Sequence, residues 1–400
     1  MTTPLPQTPG DQREDHAAVT AAAIGDLYAN AELVIIAAIA ALARKLATGS
    51  IGEAAAARQV RRTVTTVLSG IAPSARALLN GAMNQAAAKA AAAVRTPLTG
   101  PHAPVPVLNP ARPAGNVQTW TQPVAKLLDT AGDTAAQAAE DEFATVAKAI
   151  ANAVPNTAGQ LAAPVVPPVN PYQAAVSRAF GDSGGWPGST LSYRRIQAAQ
   201  AALDDLAQQG ITGFTDKAGR NWDLATYVEM ATRTATSNAW DDMQAAAAIR
   251  SGLDLVETGT YSQEGSCPLC VPWLGKTLSL TGTTTGYPTV DEAKAAGWRH
   301  PNCRCFWVPI GAALAMDVTN PVDLEDAAQV YKASQHQRAL ERDVRAAGRA
   351  AHAAVTPQAK TRARRDLAAA RAASAAHRQQ HQLRMMKVSV QRRERPWGAR

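Results

Sequence analysis

A chain of 400 residues is long enough for two or three domains and a sizeable core, yet only 5% of it is aromatic and alanine is abundant, which favours helices around a thin core. The formal net charge of +8 is unevenly spread: residues 331–400 hold 17 Lys and Arg against 4 Asp and Glu, and the rest of the chain is mildly acidic. That asymmetry points the basic end toward a nucleic acid or an acidic protein surface, with a solvated helix face as the plainer reading.

Residues 1–16 are polar, carry Pro4, Pro6 and Pro9, and lack the basic start and apolar stretch of a secretory signal. The longest apolar run, LVIIAAIAALA at 33–43, is closed by Glu32 and Arg44. It is too short to span a bilayer and is expected to be a buried helix segment, with no membrane partner. A chain made and used in a cytoplasm keeps its cysteines as metal ligands or reduced thiols rather than disulfides.

In chain order, residues 14–95 show apolar positions at helical spacing, with breaks expected around residues 49–52 and at Pro73. The first 96 residues therefore read as an alanine-rich helical region. Residues 97–123 are rich in proline and read as an extended linker. Residues 124–154 return to helix, and a second proline stretch covers 155–171. A third unit follows over 172–322, and a basic helical tail over 323–400. The expected fold class is mainly α, with a helical N-terminal half, a small α+β subdomain stabilised by zinc, and a basic helical C-terminus.

Within the third unit, residues 189–209 form a helix that Gly210 stops. A tight hairpin is expected around DKAGR, between Phe214 and Trp222. Asp223 then caps a long helix running to about Arg250, with Leu224, Tyr227, Val228, Ala231 and Ala235 on one face. Residues 253–262 have β character, and 277–280 and 303–308 are candidate partners for them. Residues 290–296 read as a short helix, and 323–385 as further helix.

All four cysteines fall in two short stretches, SCPLCVPWLGK and WRHPNCRCFW. Cys267 and Cys270 form a C-x-x-C, whose tight turn lets both thiolates reach one ion. His300, Cys303 and Cys305 add an H-x-x-C and a C-x-C. Zinc in a structural site takes four N or S ligands and leaves no open position. Five candidates thus compete for four places; Cys267, Cys270, His300 and Cys305 are the expected set, with Cys303 as the substitute. On an extended strand Cys303 and Cys305 point the same way, so spacing does not choose between them. Such an ion would tie the 267–270 turn to the 300–305 strand. Buried, unligated cysteines are the plainer reading of the same residues.

Two other patterns carry no chemistry in their context. GDSGG, from Gly181 with Ser183 at its centre, matches a protease signature, but only His16 and His102 lie upstream, among helices and proline stretches. A hydrolase elbow needs a strand before the serine, and YQAAVSRAF reads as helix. His377 and His381 sit at i, i+4 without the glutamate and third ligand of a metalloprotease.

Three stretches together resemble one family: GITGFTDKAGRNWDLATYVEMATRT from Gly210, the CPLCVPWLGK and HPNCRC pair, and YKASQHQRALERDVRAAGR from Tyr331. They are similar to the phage minor capsid protein 2 family, akin to the Mu F-like head morphogenesis proteins. The resemblance covers residues 189–400 and leaves the N-terminal half unassigned. It implies a structural virion protein of a tailed phage, present in few copies near the portal and assembled in the bacterial cytoplasm. It also implies roles in head assembly, genome packaging or ejection, and no catalytic residues. The portal protein, the major capsid protein or a scaffold protein would be its partners. Arg362, Arg364, Arg365, Arg371 and Arg378 are the expected contacts to packaged DNA or to an acidic partner, without base readout. A zinc-dependent nuclease or hydrolase, packaged with phage DNA or acting on it, is the alternative.

Overall fold

The computed structural model describes residues 9–95, 118–153, 190–215, 221–260, 267–301, 303–310 and 324–381. Helix α1 (Pro9–Ala47) places Ile24, Tyr28, Ile35 and Ile39 on one buried stripe. Its segment His16–Ala47 is long and apolar enough to cross a membrane by length and composition, but half of its most apolar window is buried inside the protein. The stripe packs against α2 (Glu53–Arg95) and α5 (Leu224–Arg250), as a core helix does.

Two prolines lie inside helices rather than ending them. Pro73 is within α2, and both Pro73 and Ser69, whose carbonyl loses its partner, face solvent. An exposed carbonyl loses little when its partner is removed, and the helix continues past the expected break. Helix α3 (Gln118–Asn152) begins within the stretch read as linker and runs through Pro123. Trp120 anchors this early start: its indole Nε1 donates to Asp242 Oδ2 of α5 at 2.6 Å. Tertiary contact overrides the local proline signal there.

Helix α4 (Thr190–Gln209) stops at Gly210, whose φ is +76°. Strands β1 (Thr212–Thr215) and β2 (Asn221–Asp223) pair antiparallel, Phe214 opposite Trp222. The DKAGR turn between them lies outside the described residues. Asp223 caps α5 as expected: its carboxylate accepts from Thr226 N at 2.9 Å and Thr226 Oγ1 at 2.7 Å. One apolar cluster runs through α1, α2, α3, α4 and α5, and reaches Ala353 of α7 (Leu324–Ala353).

Beyond α5 the chain forms a small knob. Strands β3 (Leu255–Thr260), β4 (Thr277–Ser279) and β5 (Cys305–Pro309) make an antiparallel sheet in the order β4-β3-β5. These are the strands and pairings that the sequence predicts. Helix α6 (Val290–Ala295) starts in a capping box between Thr289 and Glu292. A second apolar cluster, with Val256, Leu278, Trp298 and Trp307, fills the knob and takes in Ala245, Ala247 and Ala248 from the end of α5.

Among the described residues, the basic end is two helices rather than one. Helix α7 turns at residues 354–356 into α8 (Pro357–Gln380), which packs along it. The turn is held from α4, where Gln200 Oε1 accepts from Val355 N at 2.7 Å and Thr356 N at 3.3 Å. Thr356 then caps α8 with Pro357 following it.

Candidate metal centre

The knob brings all five predicted ligand residues into one cluster. Cys267 and Cys270 sit in a turn closed by Cys270 N donating to Cys267 O at 2.9 Å, which leads into a short 3-10 turn at Val271–Trp273. His300, Cys303 and Cys305 arrive from the other side on the turn into β5, where Cys303 N donates to His300 O at 3.0 Å. Gly297 before the second turn has a φ of +98°, a conformation that favours glycine, and packs against Leu269 of the first turn.

Cys267 Sγ lies 2.9 Å from His300 Nε2, and Cys270 Sγ lies 3.4 Å from Cys303 Sγ. Two overlapping triads follow, Cys267–Cys270–His300 and Cys270–Cys303–Cys305, with the ligand atoms of each within 4.8 Å of one another. Cys270 belongs to both. Either triad can hold a metal ion. Cys270, Cys303 and Cys305 are buried, and Cys267 and His300 are half-buried at the rim.

The electrostatics favour a cation. Hydrogen bonding with the Cys270 thiol, and then with His300, outweighs burial and draws the Cys267 thiol down to about 4. Contacts with Cys270 and Cys305, aided by the nearby Arg299 charge, draw Cys303 down to about 2. His300 rises to about 9 beside Cys267. Cys270 is pushed up, chiefly as the donor to Cys267 and Cys303. For Cys305 the Cys270 contact lowers the pKa, but Cys303 and burial raise it further. Thiolate character at Cys267 and Cys303 suits a soft cation, whose binding would displace the remaining thiol and imidazole protons to solvent.

Behind the cluster stands a residue that sequence reading missed. Arg299 has a left-handed φ of 64°, which costs a non-glycine residue about 1 kcal/mol or more. Its guanidinium explains the posture: it donates to Cys305 O at 3.0 Å and Asn238 Oδ1 at 3.1 Å, and pairs with Asp241 of α5. Asp241 also meets Arg13 of α1, at 2.9 Å. Adjacency to His300 was a signal for Arg299; nothing local marks Asp241 or Arg13.

The predicted arginine contacts are all on α8 and divide in the structure. Arg362 pairs with Asp204 of α4, Arg365 with its neighbour Asp366 at 3.1 Å, and Arg378 donates to Ser374 Oγ at 2.9 Å. Arg364 is exposed and Arg371 half-buried. Ser183 and its glycines lie outside the described residues.

The family model for phage minor capsid protein 2 matches residues 15–385. No curated protein and no solved structure matches the chain. The match takes in the N-terminal helices, which the sequence motifs alone had left unassigned. With the knob, the DKAGR-flanking strands and the α7–α8 hairpin inside the matched span, the chain belongs to the phage minor capsid protein 2 family, whose role is structural, in head morphogenesis, and not enzymatic.

Proposed function

We propose that this chain is a low-copy component of a tailed-phage head, set near the portal and assembled in the bacterial cytoplasm, with its knob closed around a structural zinc ion. The observation that carries the zinc reading is the convergence of five N and S ligands, from two turns about thirty residues apart, in one cluster with three of them buried. Two thiolates on a tetrahedral zinc stand about 3.8 Å apart, close to the Cys270–Cys303 spacing of 3.4 Å. Zinc there would supply cross-linking of the two turns, and four protein ligands leave no place for a substrate.

Cys267, Cys270 and His300 are three of the ligands. We take Cys303 rather than Cys305 as the fourth, because Cys303 Sγ reaches Cys270 and accepts the Cys305 amide at 3.3 Å, a bond that supports a thiolate. Cys303→Ser should then lose zinc and melt at a lower temperature, and Cys305→Ser should keep zinc. Unchanged zinc content and melting in Cys267→Ser with Cys270→Ser would remove the ion from the reading.

The exposed arginines of α8, Arg364 and Arg365 foremost, support contact with packaged DNA or an acidic portal, shell or scaffold surface. Quantitative mass spectrometry of gradient-purified particles tests the head placement. A low, reproducible ratio to the major shell protein is expected. Absence from washed particles would overturn it.

A further inference from the structure

Three imidazoles gather on the α7–α8 hairpin, away from the cysteine knob. His336 stands on α7, and His377 and His381 stand one turn apart on α8. The His336 and His377 ring centroids are 4.7 Å apart, and those of His377 and His381 are 4.5 Å apart. We infer that these three histidines form a second metal site, for a divalent first-row transition ion that prefers imidazole, such as zinc, nickel or copper.

Each adjacent pair has the spacing of two imidazoles on one ion, but the three sets of ring nitrogens do not yet converge, so His336 and His381 must turn toward His377 to share it. With a metal–nitrogen bond of about 2.1 Å, neighbouring imidazoles on one ion put their ring centroids roughly 4.5–5.2 Å apart. His336 and His381 are exposed, so their rings can turn to bring a nitrogen each onto the ion. Two histidines at i, i+4 on a helix already share a face.

His377 is also held as a ligand would be. Its Nδ1 lies 3.1 Å from Gln337 Oε1, which fixes the hydrogen on Nδ1 and leaves Nε2 with a free lone pair. Gln337 is buried, and its own amide Nε2 donates to Ser374 Oγ at 2.9 Å and Glu341 Oε1 at 3.2 Å, so the orientation is locked. Arg378, next to His377 on α8, donates to Ser374 Oγ at 2.9 Å.

An ion here would staple α7 to α8 across some forty residues of chain and stiffen the helix that carries the exposed arginines. The test uses the full chain loaded with excess zinc, freed of loosely held metal, and assayed by elemental analysis. His336→Ala with His381→Ala should hold one ion fewer per chain than the parent. Zinc should raise the melting temperature of the parent by more than that of the double variant. His336→Cys, which keeps a ligand, should retain the ion. Both changed side chains are exposed, and unchanged circular dichroism checks the fold. Equal zinc content and an equal zinc-induced shift in parent and double variant would overturn the site. Cysteine variants leave this difference intact, so it stands or falls apart from the knob.

Discussion

Gly210 shows how one residue is fixed from a distance. Its φ of +76° ends α4 in the left-handed region, and a Cβ built there would lie 2.7 Å from Glu32 Oε1 and 3.1 Å from Arg349 Cζ. Those two groups form a buried pair at 3.7 Å. Glu32 also accepts from Ile211 N at 2.9 Å, and Arg349 donates to Ala207 O at 2.7 Å and Gln208 O at 3.0 Å, capping the end of α4. Gly210→Ala should therefore cost about 2–4 kcal/mol, from left-handed strain plus displacement of the pair. Urea denaturation checks it, and a loss within about 0.5 kcal/mol would show that the pair can move aside. The helix stop at Gly210 was legible from its local pattern. The reason only glycine fits was not, because Glu32 and Arg349 lie far away in sequence on either side.

At the scale of elements, Asp254 organises the knob sheet. It stands just before β3, and its carboxylate accepts from Ser279 Oγ at 2.7 Å, Thr281 N at 2.9 Å, Thr281 Oγ1 at 2.6 Å and Thr284 N at 3.2 Å. Burial raises its pKa, but the bonds from Thr281, Thr284 and Ser279 outweigh it and hold the group at about 2. An unfolded aspartate titrates near about 3.9. The folded pKa is the lower one, so this stabilisation is complete above about pH 5 and fades as pH falls toward 2. Asp254→Asn should lower stability by about 1–3 kcal/mol at pH 7, and its deficit should shrink as pH drops through that window. A deficit independent of pH would refute the assignment.

The same scale shows what could be read in advance. The Asp223 cap, the β3–β5 strands and α6 depend on neighbours within a few residues or on short β-prone apolar runs, and all were legible. The continuity of α2 through Pro73, the early start of α3 and the turn between α7 and α8 were not. Each depends on a remote group or on which face meets water: Trp120 reaches Asp242, Gln200 holds residues 355 and 356, and Pro73 faces solvent. In the site, cysteine spacing located the ligands, but Arg299 and the partnership of His336 with His377 needed three dimensions.

Over the whole molecule, α5 is the shared spine. Its first turns lie in the large helical core, Trp240 packs against Ala86 and Ala90 of α2, and its last turns enter the knob. Beside it runs a polar link: Arg13 of α1 and Arg299 of the knob both meet Asp241, and all three side chains are almost fully buried. Removing one member of such a set leaves uncompensated buried charge, at a cost of about 3–5 kcal/mol. Asp241→Ala leaves two cations without their anion, so it should cost more than Arg13→Ala, which leaves Asp241 paired with Arg299. The location of the damage matters more than its size. Arg299 ties the turn beside His300 to α5, so losing Asp241 should loosen the knob from the helices while the cysteine cluster itself stays assembled. We expect the parent to unfold in one transition and Asp241→Ala in two; with His336 and His381 also changed to alanine, zinc addition should raise only the one that belongs to the knob. Calorimetry with and without zinc measures this directly. A single, uniformly lowered transition in the variant would mean that the apolar contacts of α5 alone keep the helical core and the knob cooperative.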